Sequence, residues 1–387
     1  LPAIEEKPIL DSKACATPQA VKPHGASWLT ATIWALIFFV AINFVLWRAY
    51  GEEKAASKDL WSGTGSIDLA INGLKALKQR PTVVLLGSSL MMYPFWSMDK
   101  ERDASVGDIF HHHASHTLED SLRAAGAKAP EVYSLAIFGQ MSSDAYIYVD
   151  EFLNGDKKPD YLVFGIAPRD FSDYDLPSPT ATFTFKRLVG LHNFDRYADL
   201  YLPQWQDRAD FVFNHVCFFY ARRWRLQKEV DKILGKAYAS FGVTDIPTTQ
   251  ATADGAGFMI NGSAEERWHN SLNEYRRRYR DIGERDLGLQ MGFLDRLLAV
   301  CHERKIKVVL MNMPLTDVNR ALLPNGFYDG FRQKVKQMAG SHDASYLDLG
   351  DCPEFTHEDF WDTTHLNQAG GHILVAHLLP LLSGSKP

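Results

Sequence analysis

Three kinds of apolar spacing follow one another along the chain. Residues 28–47, WLTATIWALIFFVAINFVLW, are twenty positions without a charge, and Asn43 is the most polar of them. At 1.5 Å rise per residue such a helix is about 30 Å long, the thickness of a hydrocarbon core. Trp28 and Trp47, one at each end, suit the two membrane interfaces. Further on come short, mainly apolar runs at 82–87, 131–137, 160–166, 306–312 and 345–350. Runs of that length, rich in β-branched residues, are what strands buried on both faces of a parallel sheet require. Between them the spacing turns helical. Ile67, Leu69, Ile71, Leu74 and Leu77 share a face and the run stops at Pro81. Helical stretches are also predicted at 108–126, closing on Gly126, and at 142–154, 291–305, 328–340 and 368–382. Five strands alternating with helices predict an α/β fold, a three-layer α/β/α domain of flavodoxin-like type around a parallel five-stranded sheet.

The alternation lapses over 172–288, which is proline- and aromatic-rich and then mainly helical. A connection of that length is a subdomain or a functional cover. The chain therefore divides into a flexible tail (1–27), an anchor (28–47), a juxtamembrane linker and helix (48–80), and a domain over 81–385 that the 172–288 insertion interrupts. Basic residues flank the anchor almost equally, Lys7, Lys13 and Lys22 before it and Arg48, Lys54 and Lys58 after it. The short tail and the large following domain, together with the family resemblance described below, favour a single-pass protein of the cytoplasmic membrane, its N-terminus inside and its domain outside the cytoplasm. A net charge of -6 argues against a nucleic-acid partner. Cys15, Cys217, Cys301 and Cys352 are scattered, which fits neither a zinc cage nor a disulfide framework, and no cofactor is expected.

Ligands of an open parallel sheet sit beyond the carboxyl ends of its strands. The first strand ends in Gly87-Ser88-Ser89, the second leads to Gly139, the third to Pro168-Arg169-Asp170, and Asp362 and His365 follow the fifth. A serine hydroxyl needs a base within reach and a third group to orient that base. Asp362 and His365 supply both from one loop, and the N–H groups of Ser89 and Gly139 are placed to meet an oxyanion. The same D-x-x-H spacing recurs at Asp108 and His111, on the wrong side of a strand. In HHHASH, His112 and His116 share a helix face, but without a carboxylate or cysteine partner no metal site is expected. Arg222, Arg223 and Arg225, and Arg276 to Arg278, read as solvated helix faces or, more sharply, as sites for an anionic polymer or lipid headgroups. Asn261-Gly262-Ser263 meets the glycosylation pattern without a secretory context to support it.

Gly87-Ser88-Ser89-Leu90, Gly139 and Asp362-Thr363-Thr364-His365 resemble, in order, three blocks of the SGNH (GDSL-type) hydrolases. The resemblance covers roughly 80–170 and 290–385. It implies Ser89 as nucleophile, with Ser88 in the usual Asp position, His365 as base, Asp362 as its orienter and Gly139 at the oxyanion. The family's third block carries an asparagine, which GIAPRDF (165–171) lacks. That form, with an upstream anchor, looks more like the DltD branch and the SGNH proteins of polysaccharide O-acetylation, where Arg169 would replace the missing donor. The expectation is a membrane-anchored serine esterase or O-acyltransferase acting on acyl groups of a cell-envelope polysaccharide, beside a membrane-bound acyltransferase or other membrane protein complex. The alternatives are a non-catalytic SGNH-fold subunit of a membrane assembly and a lipid-directed esterase.

Overall fold

The computed structural model describes residues 25–50, 64–223, 227, 230–234 and 262–383. The tail up to residue 24, the linker 51–63, Cys15, Arg225 and the loop-like stretch 245–261 with Asn261 lie outside the described residues.

Strands β1 (Val83–Gly87), β2 (Val132–Ser134), β3 (Tyr161–Ile166), β4 (Lys307–Asn312) and β5 (Ser345–Asp348) form one sheet in the order β2-β1-β3-β4-β5. Every pairing is parallel, with Gly87 opposite Gly165 and Asn312 opposite Asp348. The period of two along each strand explains why both faces are apolar. Val84, Leu86, Leu162, Phe164 and Leu310 point to one face and pack on helices α2 (Thr64–Ala76) and α5 (Ser142–Phe152) and on the Glu284–Glu303 and Phe327–Ser341 helices. Val83, Leu85, Val163, Val309 and Met311 point to the other, against α3 (Ser89–Arg102), α4 (His116–Ala124) and the closing helix Gln368–Ser383. This is the three-layer α/β fold read from the periodicity.

Two local readings need correction. The helix predicted over 108–126 begins only at His116, because Asp108 turns the chain by accepting the N–H groups of Phe110 and His111. Asp99 then caps α4, accepting from the N–H groups of His116 and Thr117, each at 2.8 Å. His112 donates to the same carboxylate at 3.0 Å and His116 faces Glu119, so neither shows a metal-ligand arrangement with the other. Second, α3 was invisible to periodicity. Its residues Ser89 to Asp99 are all buried, leaving no polar face, and Pro94 sits inside it.

A 3-10 turn, Pro168–Asp170, leads from β3 to the insertion, which continues in helices Phe183–Leu188, Phe194–Tyr201, Trp205–Val216 and Phe218–Ala221. Phe185, Tyr197, Tyr201, Leu202 and Phe211 make a small core of their own on Ile147 and Phe293. The Ala264–Arg278 helix then crosses the carboxyl ends of the strands. Its start, Ser263, is capped reciprocally by Glu266. Helix α1 (Gly25–Tyr50) contains one stretch, Leu29–Ala49, of mean hydropathy 2.3, long and apolar enough to cross a membrane.

Candidate active site

The order β2-β1-β3 places the switch point of the sheet between β1 and β3, where the following loops part and leave a crevice. The chain leaves β1 through Gly87, whose φ of +141° and surroundings both demand glycine. A Cβ there would lie 2.5 Å from Met91 Cγ and 2.6 Å from the Gly165 carbonyl oxygen. The tight exit brings Ser89 to the first position of α3, so its hydroxyl sits at the positive end of a helix. Gln140 fastens the neighbouring loop, accepting the Gly87 N–H at 2.7 Å through Oε1 and donating Nε2 to the Leu135 carbonyl at 3.1 Å.

His365 Nε2 lies 2.8 Å from Ser89 Oγ, and His365 Nδ1 lies 2.7 Å from Asp362 Oδ2. The other carboxylate oxygen, Oδ1, accepts from the N–H groups of Thr364 (2.9 Å) and His365 (3.0 Å). An ionised carboxylate only accepts, so Nδ1 carries the proton and Nε2 is left to accept from the serine. Burial alone would raise the Asp362 pKa, but the adjacent imidazole and these N–H donors hold it below the ordinary carboxylate value. Ser89 is 6% exposed and His365 is fully buried. Asp108 and His111 make a similar local pair at 2.8 Å, so the spacing by itself builds a His–carboxylate contact. What the second copy lacks is a serine and a buried setting.

Arg169 is buried, and one of its terminal nitrogens lies 3.8 Å from where a Cβ on Gly139 would stand. Gly139 has φ of +72°. The guanidinium donates to Asp170 Oδ1 (3.3 Å), Asp173 Oδ2 (3.4 Å) and the Gln140 carbonyl (3.5 Å). Burial would favour losing its proton, but Asp170 and Asp173 keep it a cation. Asp173 also binds Arg278 of the insertion, which pairs with Glu274 at 2.7 Å. Ser88 is buried beside the Asp170 carboxyl rather than facing the histidine.

Several site neighbours left no mark in the sequence pattern. The Tyr93 ring lies 4.4 Å from that of His365, and burial, then Asp362, pushes its phenol pKa upward. Ser271 Oγ meets Thr363 Oγ1 at 2.6 Å and Thr316 Oγ1 donates to the Thr363 carbonyl at 2.7 Å, which pins the D-x-x-H loop from two sides. Buried Tyr275 lies beside Thr364, and burial pushes its phenol pKa upward. Arg267 stacks on Trp361 at 4.2 Å and Trp268 on His357 at 3.8 Å, so His357 belongs to the outer rim of this cover. Arg277 and Arg278 pair with Asp175 and Asp173, so the YRRRYR run is in part a clamp rather than a solvated face. Away from Ser89, His365 and Asp362, the described residues Cys352, Glu354 and His377 have possible ligand atoms within 4.8 Å of one another, a grouping with no mark in the sequence.

No family model matches this chain, and no curated protein does. Among solved structures it is similar to a protein of Streptococcus pneumonia provisionally named a platelet activating factor, at 12% identity and TM-score 0.40, over 84% of this chain and 94% of that one. It is also similar to a catalytic mutant of Axe2, an acetylxylan esterase from Geobacillus stearothermophilus (13%, TM-score 0.35, 80% and 97%). A third is LAE5, an alpha/beta hydrolase from the metagenome of Lake Arreo (14%, TM-score 0.34, 80% and 97%). At these values the likenesses decide nothing about chemistry, which rests on the site's own geometry.

Proposed function

We propose that this chain is a serine esterase or O-acyltransferase of SGNH type that works through an acyl-enzyme. The observation that carries the reading is the continuous hydrogen-bonded line Ser89–His365–Asp362, closed at both links below 3 Å. Ser89 Oγ forms the new ester bond to the acyl carbonyl carbon while its proton passes to His365 Nε2. The imidazolium, held by Asp362, then gives that proton to the departing alkoxide as the old C–O bond breaks. Water or a sugar hydroxyl repeats the sequence in reverse, and the serine is restored. The N–H groups of Ser89 and Gly139 hold the oxyanion, with the Arg169 cation behind Gly139 adding positive potential in a water-poor site. Leu29–Ala49 anchors the protein in the cytoplasmic membrane with the domain outside the cytoplasm, and the acyl group belongs to a cell-envelope polysaccharide, handled beside a membrane-bound acyltransferase.

The test is covalent labelling of the detergent-solubilised chain with a fluorophosphonate, the adduct located by mass spectrometry. Labelling on Ser89 that disappears in Ser89→Ala is the expected result. A folded wild-type chain that takes no label sinks the reading. One observation favours a second reading, a non-catalytic docking subunit. Ser89 is almost closed over, while a cavity of 970 Å³ opens outside the cover, between Trp268, Arg267, His357 and Trp361. An unlabelled serine would promote it.

A further inference from the structure

Helix α1 turns its apolar side chains outward along nearly its whole length: Phe38, Phe39, Val40, Phe44 and Val45 are all exposed. Asn43 is the exception at 5% exposure. Its Oδ1 accepts the backbone N–H of Phe218 at 2.7 Å and its Nδ2 donates to the Phe39 carbonyl one turn back at 2.9 Å. Phe218 opens the short Phe218–Ala221 helix, so its N–H is one of the donors that helix cannot satisfy within itself. In hydrocarbon such a donor must find a partner, and a lone asparagine must too. Here each satisfies the other.

The depth of this contact follows from helix geometry. Asn43 stands six residues before Ala49, the end of the apolar stretch, which is about 9 Å along the axis. Higher up α1, the Phe218 ring meets Trp47 edge-on at 5.8 Å. The Arg222 guanidinium covers Trp47 at 5.5 Å and Phe218 at 4.1 Å. The segment thus runs from an apolar foot at Phe218 to a cation at the level of the interfacial tryptophan. Flanking that foot, Phe213, Val216 and Phe219 are 54%, 48% and 45% exposed, and Val230, Ile233 and Leu234 continue the apolar character.

We propose that the Phe213–Arg222 segment of the insertion lies in the lipid bilayer alongside α1, its phenylalanines in the acyl region and Arg222 at the headgroup level. The inference rests on α1 being a membrane span. The occupant is lipid because Phe218 and Arg222 pack on the span and the exposed Phe213, Val216 and Phe219 stand next to Phe218 in the chain, and because the 9 Å depth lies in the roughly 5–10 Å over which amphipathic segments bury in an interface. Three large apolar side chains beside a membrane-spanning helix form an extension of its surface, and water is the least favourable cover for them. The domain is then held to the membrane at two points rather than by a single hinge, which fixes the orientation of its sheet.

The experiment uses the full chain in lipid nanodiscs, with Cys15, Cys217 and Cys352 replaced by serine and the buried Cys301 retained. A nitroxide is placed at Phe38→Cys on α1, at Phe219→Cys, at Val216→Cys as a second reporter, and at Lys334→Cys on the domain surface. Power saturation then measures collision with oxygen, which concentrates in lipid, against a water-soluble nickel chelate. The expected result is severalfold greater collision with oxygen at 38, 219 and 216, and the reverse at 334. Oxygen preference at 38 but nickel preference at 216 and 219 overturns the inference and leaves the anchor standing. Nickel preference at 38 overturns the anchor, and the inference with it. Shielding from both agents at 216 and 219 means that protein covers the segment, and that too overturns a lipid contact.

Discussion

Replacing Asp362 by asparagine tests the chemistry more sharply than deleting the serine, because it keeps the shape and changes one proton. Asp362 Oδ1 is fixed by the N–H groups of Thr364 and His365 at 2.9 and 3.0 Å, so an asparagine will leave its carbonyl oxygen there. Its NH2 group then takes the place of Oδ2, 2.7 Å from His365 Nδ1. A donor now faces Nδ1, which must accept, so the ring proton moves to Nε2 and points at Ser89 Oγ 2.8 Å away. The serine has lost its base. Turning the amide over restores the tautomer but sets a donor against two buried N–H groups, each costing about 1–3 kcal/mol. A further loss comes from the imidazolium no longer facing a negative charge. Together these reach about 4–5 kcal/mol, which at 1.36 kcal/mol per decade is a 10³- to 10⁴-fold slower acylation, the scale known for such triads. The assay is the pre-steady-state burst of p-nitrophenolate from p-nitrophenyl acetate at pH 8, with Ser89→Ala as the blank. Asp362→Asn acylating within tenfold of wild type, with an unchanged unfolding midpoint, would refute the assignment of Asp362 as the orienting group.

Other consequences reach the fold. Gly87→Ala meets Met91 and the Gly165 carbonyl at 2.5–2.6 Å in a left-handed conformation, and urea unfolding will show a loss of about 2–4 kcal/mol. Burial raises the Asp99 pKa, but hydrogen bonds from His112, Thr117 and His116 more than offset it and hold the carboxyl at about 2. That stability is present above the usual carboxylate pKa and is lost as pH falls through about 4 to 2, so Asp99→Asn costs about 2 kcal/mol at pH 7 and almost nothing at pH 2. Asp144 goes the other way, pushed up to about 7 by complete burial. The folded state then binds its proton more tightly than the unfolded chain, so stability falls as pH rises from about 4 to 7. Asp144→Asn, which keeps the acceptor for the Met141 N–H, gains about 1–3 kcal/mol over wild type at pH 8 and nothing at pH 4, and melting curves at the two pH values will separate them. Equal melting shifts at both would overturn it.

The parts of this protein legible in its sequence are those governed by local periodicity. The apolar runs became parallel strands because β1 and β3 at the centre of the sheet are buried on both faces and take apolar side chains at nearly every position, whereas the edge strand β5 is only half-buried and admits Ser345 and Asp348. The twenty uncharged residues became one unbroken helix because a helix satisfies its backbone hydrogen bonds within itself, whatever surrounds it. Even the His365–Asp362 pair was readable, since D-x-x-H closes on itself locally, as Asp108 and His111 do too. Helix α3 was not legible, because a helix buried all round has no polar face to betray its period. Nor was the cover, in which Ser271, Tyr275 and Arg278 reach residues scores of positions away in the chain.

Sequence alone therefore determined the layers, the strand-end positions of Ser89, His365 and Asp362 and the long apolar helix, all of them set by neighbours a few residues apart. Strand-end position already favoured Asp362-x-x-His365 over Asp108-x-x-His111, but only the tertiary structure brings His365 to 2.8 Å from Ser89, 276 residues away in the chain, because β1 and the loop after β5 end on the same side of the sheet. It also decided what surrounds that serine, and that Asn43, unremarkable in an apolar helix, is the residue on which the insertion comes to rest.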